Sequence, residues 1–262
     1  MAYNSEWINA FVFIFGLCIG SFLNVCIYRL PASKSIVHPR SMCPRCGRQI
    51  PFYDNLPILS YLLLRGRCRQ CRTAISVRYP LVELLAGLFA LVSVLRFGMT
   101  PTAAIYFVFI AALLTVTFID IDHRIIPNAI TLPGIVFFFI AGLLLPQISW
   151  KDALLGILVG GGTLYLVAQA YYLLKKVDGM GGGDVKLLAM IGALIGWQGV
   201  LFTIFFASLG GTLAGLAVMV KNRSTMKQKI PFGPFLATGA ICYLFFGEPI
   251  IRWYFDILKG QL

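Results

Sequence analysis

Apolar runs close to twenty residues long recur along this 262-residue chain, and that recurrence excludes most folds before any single residue is considered. At about 1.5 Å of rise per residue, a helix of about 20 apolar residues crosses a hydrocarbon layer about 30 Å thick. Such runs cover residues 7–28, 80–97, 101–119, 128–145, 153–174 and 232–251. The apolar block 185–220 is too long for one crossing, and Gly196-Trp197-Gln198-Gly199 supplies a turn inside it. Splitting it there predicts one helix ending near Gly196 and another over 200–220. The expected fold is therefore an all-α membrane protein of about eight transmembrane helices. Composition agrees: only 12% of residues are charged, against about 25% in soluble domains. The short alternating segments of a β-barrel are absent. The first run follows Glu6 with no Lys or Arg before it and no A-x-A site after it, so it reads as a retained helix rather than a cleaved signal.

A net charge of +12 raises the question of nucleic acid. Its distribution answers it. If the polar stretch 29–79 is cytoplasmic, the connections 120–127, 175–184 and 221–229 fall on the same side, and with Lys186 that side holds 18 of the 22 Lys and Arg residues. Only Arg96, Lys151, Arg252 and Lys259 lie opposite. This asymmetry orients a membrane protein with both termini outside, and it accounts for the basic charge with no nucleic-acid partner. Three G-x-x-x-G pairs, Gly16/Gly20, Gly156/Gly160 and Gly211/Gly215, have the spacing that lets helices approach closely, though glycine is common in membrane helices in any case.

Of seven cysteines, Cys18, Cys26 and Cys242 sit in apolar runs and read as small hydrophobes. The other four form Cys43-Pro-Arg-Cys46 and Cys68-Arg-Gln-Cys71, separated by 21 residues in the polar stretch. Two C-x-x-C pairs at such spacing make a tetrahedral Cys₄ site suited to Zn²⁺. Disulfides or free thiols are the alternatives, and a reducing cytoplasm argues against the former. A four-cysteine site leaves no open coordination position, so the metal is expected to be structural.

Three acidic residues lie where an apolar helix meets the cytoplasmic side: Asp120 and Asp122 after the third run, and Asp184 after Gly181-Gly182-Gly183. Ionisable groups at such depth are costly and tend to be kept for chemistry or pairing. Two carboxylates a few ångström apart divide their roles, one acting as base on water and the other as acid, as in aspartic proteases. The three glycines leave bare backbone against which an extended substrate can lie. Blander readings stay open: Asp184 as a first-turn carboxylate after a flexible linker, and Asp120 paired with Arg124 or Lys186.

These motifs resemble, in order and over nearly the whole chain, those of the bacterial type IV prepilin peptidases. Residues 20–31, from Gly20-Ser21-Phe22-Leu23-Asn24 to Pro31, look like the family's opening motif. The four cysteines match its zinc loop, and Asp54-Asn55-Leu56-Pro57 and residues 75–83 match its next signatures. Asp120 with Ile126-Pro127-Asn128, and Gly181-Gly182-Gly183-Asp184, match the paired aspartates of the G-x-G-D membrane proteases. The resemblance implies a bifunctional enzyme of the bacterial inner membrane, with its active site at the cytoplasmic face. It would cleave the basic leader of prepilins or pseudopilins, then N-methylate the new N-terminal residue using S-adenosylmethionine. It further implies Asp120 and Asp184 as catalytic residues with Asp122 as the fallback, Gly181, Gly182 and Gly183 against the substrate, and Cys43, Cys46, Cys68 and Cys71 as ligands of a structural Zn²⁺. The implied division is a first transmembrane helix (1–28), a methyltransferase-associated zinc loop (29–79) and a protease region (80–262).

No soluble-type G-x-G-x-x-G cofactor fingerprint occurs in the loop. Asn24, Arg78 and Glu83 are the polar residues of the matching motifs assigned here to methyl transfer; a structural Arg78–Glu83 ion pair is the alternative. A protease-only relative, a proton-coupled transporter with membrane aspartates and a non-enzymatic scaffold with a zinc-ribbon loop are the competing readings.

Overall fold

The computed structural model describes residues 3–177, 181–222 and 231–258. Among them the fold is all-helical, with two isolated β-bridges and no strand. The helices are α1 (Tyr3–Arg29), α2 (Leu59–Leu63), α3 (Arg78–Phe97), α4 (Pro101–His123), α5 (Asn128–Gly142), α6 (Trp150–Lys175), α7 (Gly182–Asn222) and α8 (Gly233–Leu258). A single 3-10 turn, Phe52–Asn55, precedes α2. Five helices, α1, α3, α4, α6 and α7, are long and apolar enough to cross a membrane, and the shorter α5 and the 233–247 part of α8 are also apolar. Parts of the predicted cytoplasmic connections 175–184 and 221–229 (178–180 and 223–229), and Lys259, lie outside the described residues.

Local chemistry sets the helix ends. Glu6 lies in the first turn of α1 and Arg29 in its last, each matching the helix dipole. Gly98, at φ +71°, stops α3 and donates its N–H to the Val94 carbonyl. Pro101 opens α4. The Ser149 hydroxyl caps α6 by accepting from the Asp152 N–H. In α7 the helical path is broken at Gly196, with φ 70° and ψ 179°, where the sequence predicts a turn between two apolar segments.

The chain forms two compact units, residues 1–115 and 116–262. In the first, α1 packs on α3 through small residues. A methyl group on Gly16 would lie 2.7 Å from Cβ of Ala90, and one on Gly20 would lie 2.6 Å from Cα of Glu83. In the second, α7 packs against α5, α6 and α8, and Leu187, Leu188, Met190, Ile191 and Leu194 are fully buried. Gly156 and Gly160 of α6 press on the α7 backbone at Gly192 and Leu188. The first two G-x-x-x-G pairs thus make backbone-close packing. Gly211 of the third pair makes only ordinary contact with Phe232 and Phe235.

Candidate functional site

Asp120 ends the apolar part of α4 and is 5% exposed. Its Oδ2 accepts a hydrogen bond from the Gly233 N–H at 3.0 Å, where α8 begins. The partner is 113 residues away in the chain. Asp184 lies in the first turn of α7, directly after Gly183. Ile126 neighbours the glycine beside each aspartate: Gly183, which precedes Asp184, and Gly233, which donates to Asp120. A methyl group on Gly183 would lie 2.8 Å from Cβ of Ile126, and one on Gly233 would lie 3.4 Å from its Cδ1 and 2.7 Å from Oδ2 of Asp120. Glycine is therefore required at 183 and 233 by close approach, whereas a side chain at Gly182 would meet open space.

Lys186 donates to Oδ1 of Asn128 at 2.9 Å, tying the start of α7 to the start of α5. Asp122, the fallback, is exposed. Gly233 and Ile126 carry no titratable side chain; their part is visible only as a backbone amide and a packing surface.

The four predicted cysteines come together, with all four sulfurs within 4.8 Å of one another. The two segments fold alike. Cys43 N–H donates to Arg48 O and Cys68 N–H to Thr73 O, while Gly47 N–H donates to Cys43 O and Arg72 N–H to Cys68 O. One β-bridge closes each knuckle, Met42 with Gln49 and Arg67 with Ala74. Gly47 and Arg72 occupy equivalent left-handed positions, φ 67° and 58°. Side chains lace the knuckles together: Arg45 donates to Thr73 Oγ1 and Arg48 to Gln70 Oε1. A zinc–sulfur bond of about 2.3 Å in a tetrahedron sets sulfurs about 3.8 Å apart, and Sγ of Cys43 is 3.8 Å from Sγ of Cys71. The donor set therefore fits a tetrahedral thiolate metal. The N–H groups of Cys46 and Arg45, outweighing burial, hold the Cys43 thiol down to about 6. For Cys71 the Thr73 N–H pulls downward, but desolvation and the three neighbouring thiols leave it at about 11. Metal binding here must displace protons.

The loop is fastened at several points. Arg29 donates to the carbonyls of Ser35 and Pro39. Arg69 forms a two-pronged ion pair with Asp54 at 2.6 and 2.7 Å, and this hydrogen-bonded guanidinium holds the Asp54 carboxyl below its ordinary value.

A second polar group lies between α1 and α3. Asn24 is buried, donates Nδ2–H to the Tyr79 carbonyl, and its Oδ1 has no hydrogen-bond partner. Glu83, also buried, accepts at Oε2 from the Ile58 N–H at 2.7 Å and interacts with the Ser21 hydroxyl. Arg78 lies with its guanidinium over the Tyr79 ring. Ile58 has φ 60° and ψ −49°, a conformation costly for a β-branched residue. Its placement under the Glu83 carboxylate is held by that hydrogen bond. Ser21 and Ile58 were not singled out from the sequence; a serine in the opening motif was the only signal.

Residues 14–97 match the family model described as Bacterial Peptidase A24 N-terminal domain, and residues 107–216 match that of the Type IV leader peptidase family. A protein of Aeromonas salmonicida (strain A449) named Prepilin leader peptidase/N-methyltransferase is 36% identical over 290 residues, covering 98% of each chain. A Pseudomonas aeruginosa protein of the same name is 37% identical over 264 residues, 92% of this chain and 91% of that one. One from Myxococcus xanthus (strain DK1622) is 42% identical over 210 residues, 80% of this chain but 63% of its own length. No solved structure matches the chain.

Proposed function

The chain belongs to the type IV leader peptidase family, and from that premise we propose how its two activities, endopeptidase and N-methyltransferase, divide among its residues. Leader cleavage falls to Asp120 and Asp184, in the region 80–262. What supports this assignment is that two aspartates 64 positions apart lie beside glycines that share Ile126 as a neighbour, Asp184 next to Gly183 and Asp120 buried and held by the Gly233 amide. Near like charge favours one ionised and one protonated carboxyl. The ionised aspartate takes a proton from water as its oxygen adds to the scissile carbonyl, and the other gives a proton to the departing amine as the C–N bond breaks. Gly181, Gly182 and Gly183 offer bare backbone to the extended substrate. Asp122, on the exposed side, is outside this pair.

Methyl transfer falls to the α1–α3 polar group and the loop 29–79 that it anchors. S-adenosylmethionine supplies the methyl group there when bound. Its sulfonium, ammonium and ribose hydroxyls call for acceptor oxygens, and the unpaired Asn24 Oδ1 and the Glu83 carboxylate are such acceptors. Arg78 completes the assigned set. Cys43, Cys46, Cys68 and Cys71 hold Zn²⁺ as a structural ion that fixes a loop with little core of its own.

The substrates are prepilins or pseudopilins. The enzyme is a multi-pass protein of the bacterial inner membrane, with about eight crossings if both arms of α7 and the shorter α5 and α8 span. The ten Lys and Arg residues of stretch 29–79, against a single Asp, support a cytoplasmic position for that loop. Mass spectrometry of a prepilin incubated with the enzyme, with and without S-adenosylmethionine, tests the reading. A leader-length loss in both samples and one further 14-dalton gain (the methyl group, about one CH₂) only with the donor is the expected pattern. Cleavage with no added methyl would leave the protease-only reading.

A further inference from the structure

The loop 29–79 carries an apolar face that the two sites do not use. In α2, Leu59, Leu62 and Leu63 stand at i, i+3 and i+4 and so share one side of the helix. They are 55%, 64% and 75% exposed. The opposite side is engaged: Ser60 is buried and donates to the Tyr53 carbonyl, and Tyr61 donates to the Ile75 carbonyl. The 3-10 turn packs on α2 and carries Phe52, a second exposed apolar side chain of this loop at 86%. The outward leucines are therefore a fixed feature of a hydrogen-bonded loop.

Two further observations identify what covers this face. The first is charge. Stretch 29–79 holds ten Lys and Arg residues and one acidic residue, Asp54, which is already paired with Arg69. Arg65, Arg67 and Arg72, directly after α2, are exposed. A Cys₄ zinc centre carries about −2 (four thiolates and one divalent ion), so the loop stays strongly positive when loaded. The second is continuity with the bilayer. The loop is bounded by α1, ending at Arg29, and α3, starting at Arg78, both long and apolar enough to span. These two helices pack side by side, so the loop leaves and re-enters one leaflet within the width of a helix pair.

An exposed apolar helix face followed in the chain by exposed arginines, in a loop fastened at both ends to apolar spans, has the character of an interfacial element. We propose that Leu59, Leu62, Leu63 and Phe52 insert into the headgroup and upper acyl region of that same leaflet, with Arg65, Arg67 and Arg72 bound to anionic lipid headgroups. The docking holds the knuckle pair against the bilayer surface. It is independent of which residues perform either reaction.

The test uses full-length enzyme carrying Leu63→Trp, reconstituted in nanodiscs whose lipids are brominated in the upper acyl chain, with neutral lipid alone or with anionic lipid added. Emission in excess of the wild-type enzyme reports the new residue. It is expected to be quenched about two-fold or more by brominated lipid in anionic discs, less in neutral discs, and to be shielded from aqueous acrylamide. Phe52→Trp, on the neighbouring turn, should behave alike and serves if Leu63→Trp accumulates poorly. Emission open to acrylamide and untouched by brominated lipid overturns the proposal. So does emission shielded from both, which would mean that protein covers the face. Equal quenching in neutral and anionic discs overturns the assignment of anionic lipid.

Discussion

Gly182 and Gly183 are neighbours in the sequence and differ completely in what a side chain would meet. A methyl group at 183 collides with Ile126, which also neighbours Gly233, the hydrogen-bond donor to Asp120, while one at 182 finds open space in the enzyme. Gly183→Ala is thus expected to lower kcat for leader cleavage about ten- to a hundred-fold by displacing the carboxylates from working geometry, whereas Gly182→Ala, whose methyl meets no part of the enzyme and can act only on the bound substrate, should raise KM with kcat within about two-fold of wild type. Gly233→Ala, which places a methyl 2.7 Å from Oδ2 of Asp120, should resemble Gly183→Ala. Initial rates of prepilin processing compare the three. The aspartates themselves were legible because a carboxylate at the end of an apolar run is conspicuous. The Gly233 and Ile58 amides were not, because a backbone donor leaves no mark on the sequence. The choice between Asp120 and Asp122 was likewise carried by resemblance alone until burial separated them. In the zinc loop, Arg72 occupies the left-handed position that Gly47 fills in the other knuckle. Arg72→Gly should stabilise the loop by about 1 kcal/mol and Gly47→Ala should destabilise it by about 1–2 kcal/mol. Chelator competition for zinc across a denaturant series reads both.

At the scale of elements, length and apolarity located the long helices well, since few other structures accommodate twenty uninterrupted apolar residues. Gly196 was also readable: only glycine tolerates φ 70° with ψ 179°, and the apolar block around it is too long for one crossing. The five-residue α2 was hidden in the polar stretch, because so short a segment has no periodicity of its own. Helix α5 ends at Gly142 rather than at 145, because the last apolar residues continue as turns onto Leu145. Small-residue spacing gave only part of the packing. Gly160 of α6 presses on the α7 backbone, whereas Gly162, two positions on, has nothing within 4 Å. Gly160→Ala should therefore destabilise the enzyme by about 1–3 kcal/mol, and Gly162→Ala should be neutral or slightly stabilising. Thermal inactivation in detergent distinguishes them.

For the molecule as a whole, the chain forms two compact units, each with its own chemically distinct residues: four clustered cysteines, Asn24 and Glu83 in the first, Asp120 and Asp184 in the second. That order of motifs, more than any one of them, made the family recognisable. How distant segments meet was beyond reach, because the hydrogen bond that fixes Asp120 crosses 113 residues. The claim on which the account depends is that Asp120 and Asp184 work as one unit. The most direct measurement is the single-turnover rate of prepilin cleavage by Asp120→Asn, Asp184→Asn and the double variant in membranes. Each single change should cost about 10³-fold or more, and the double no more than either alone, as for residues that act together. Near-normal cleavage by either single variant, or losses that multiply in the double, would contradict it.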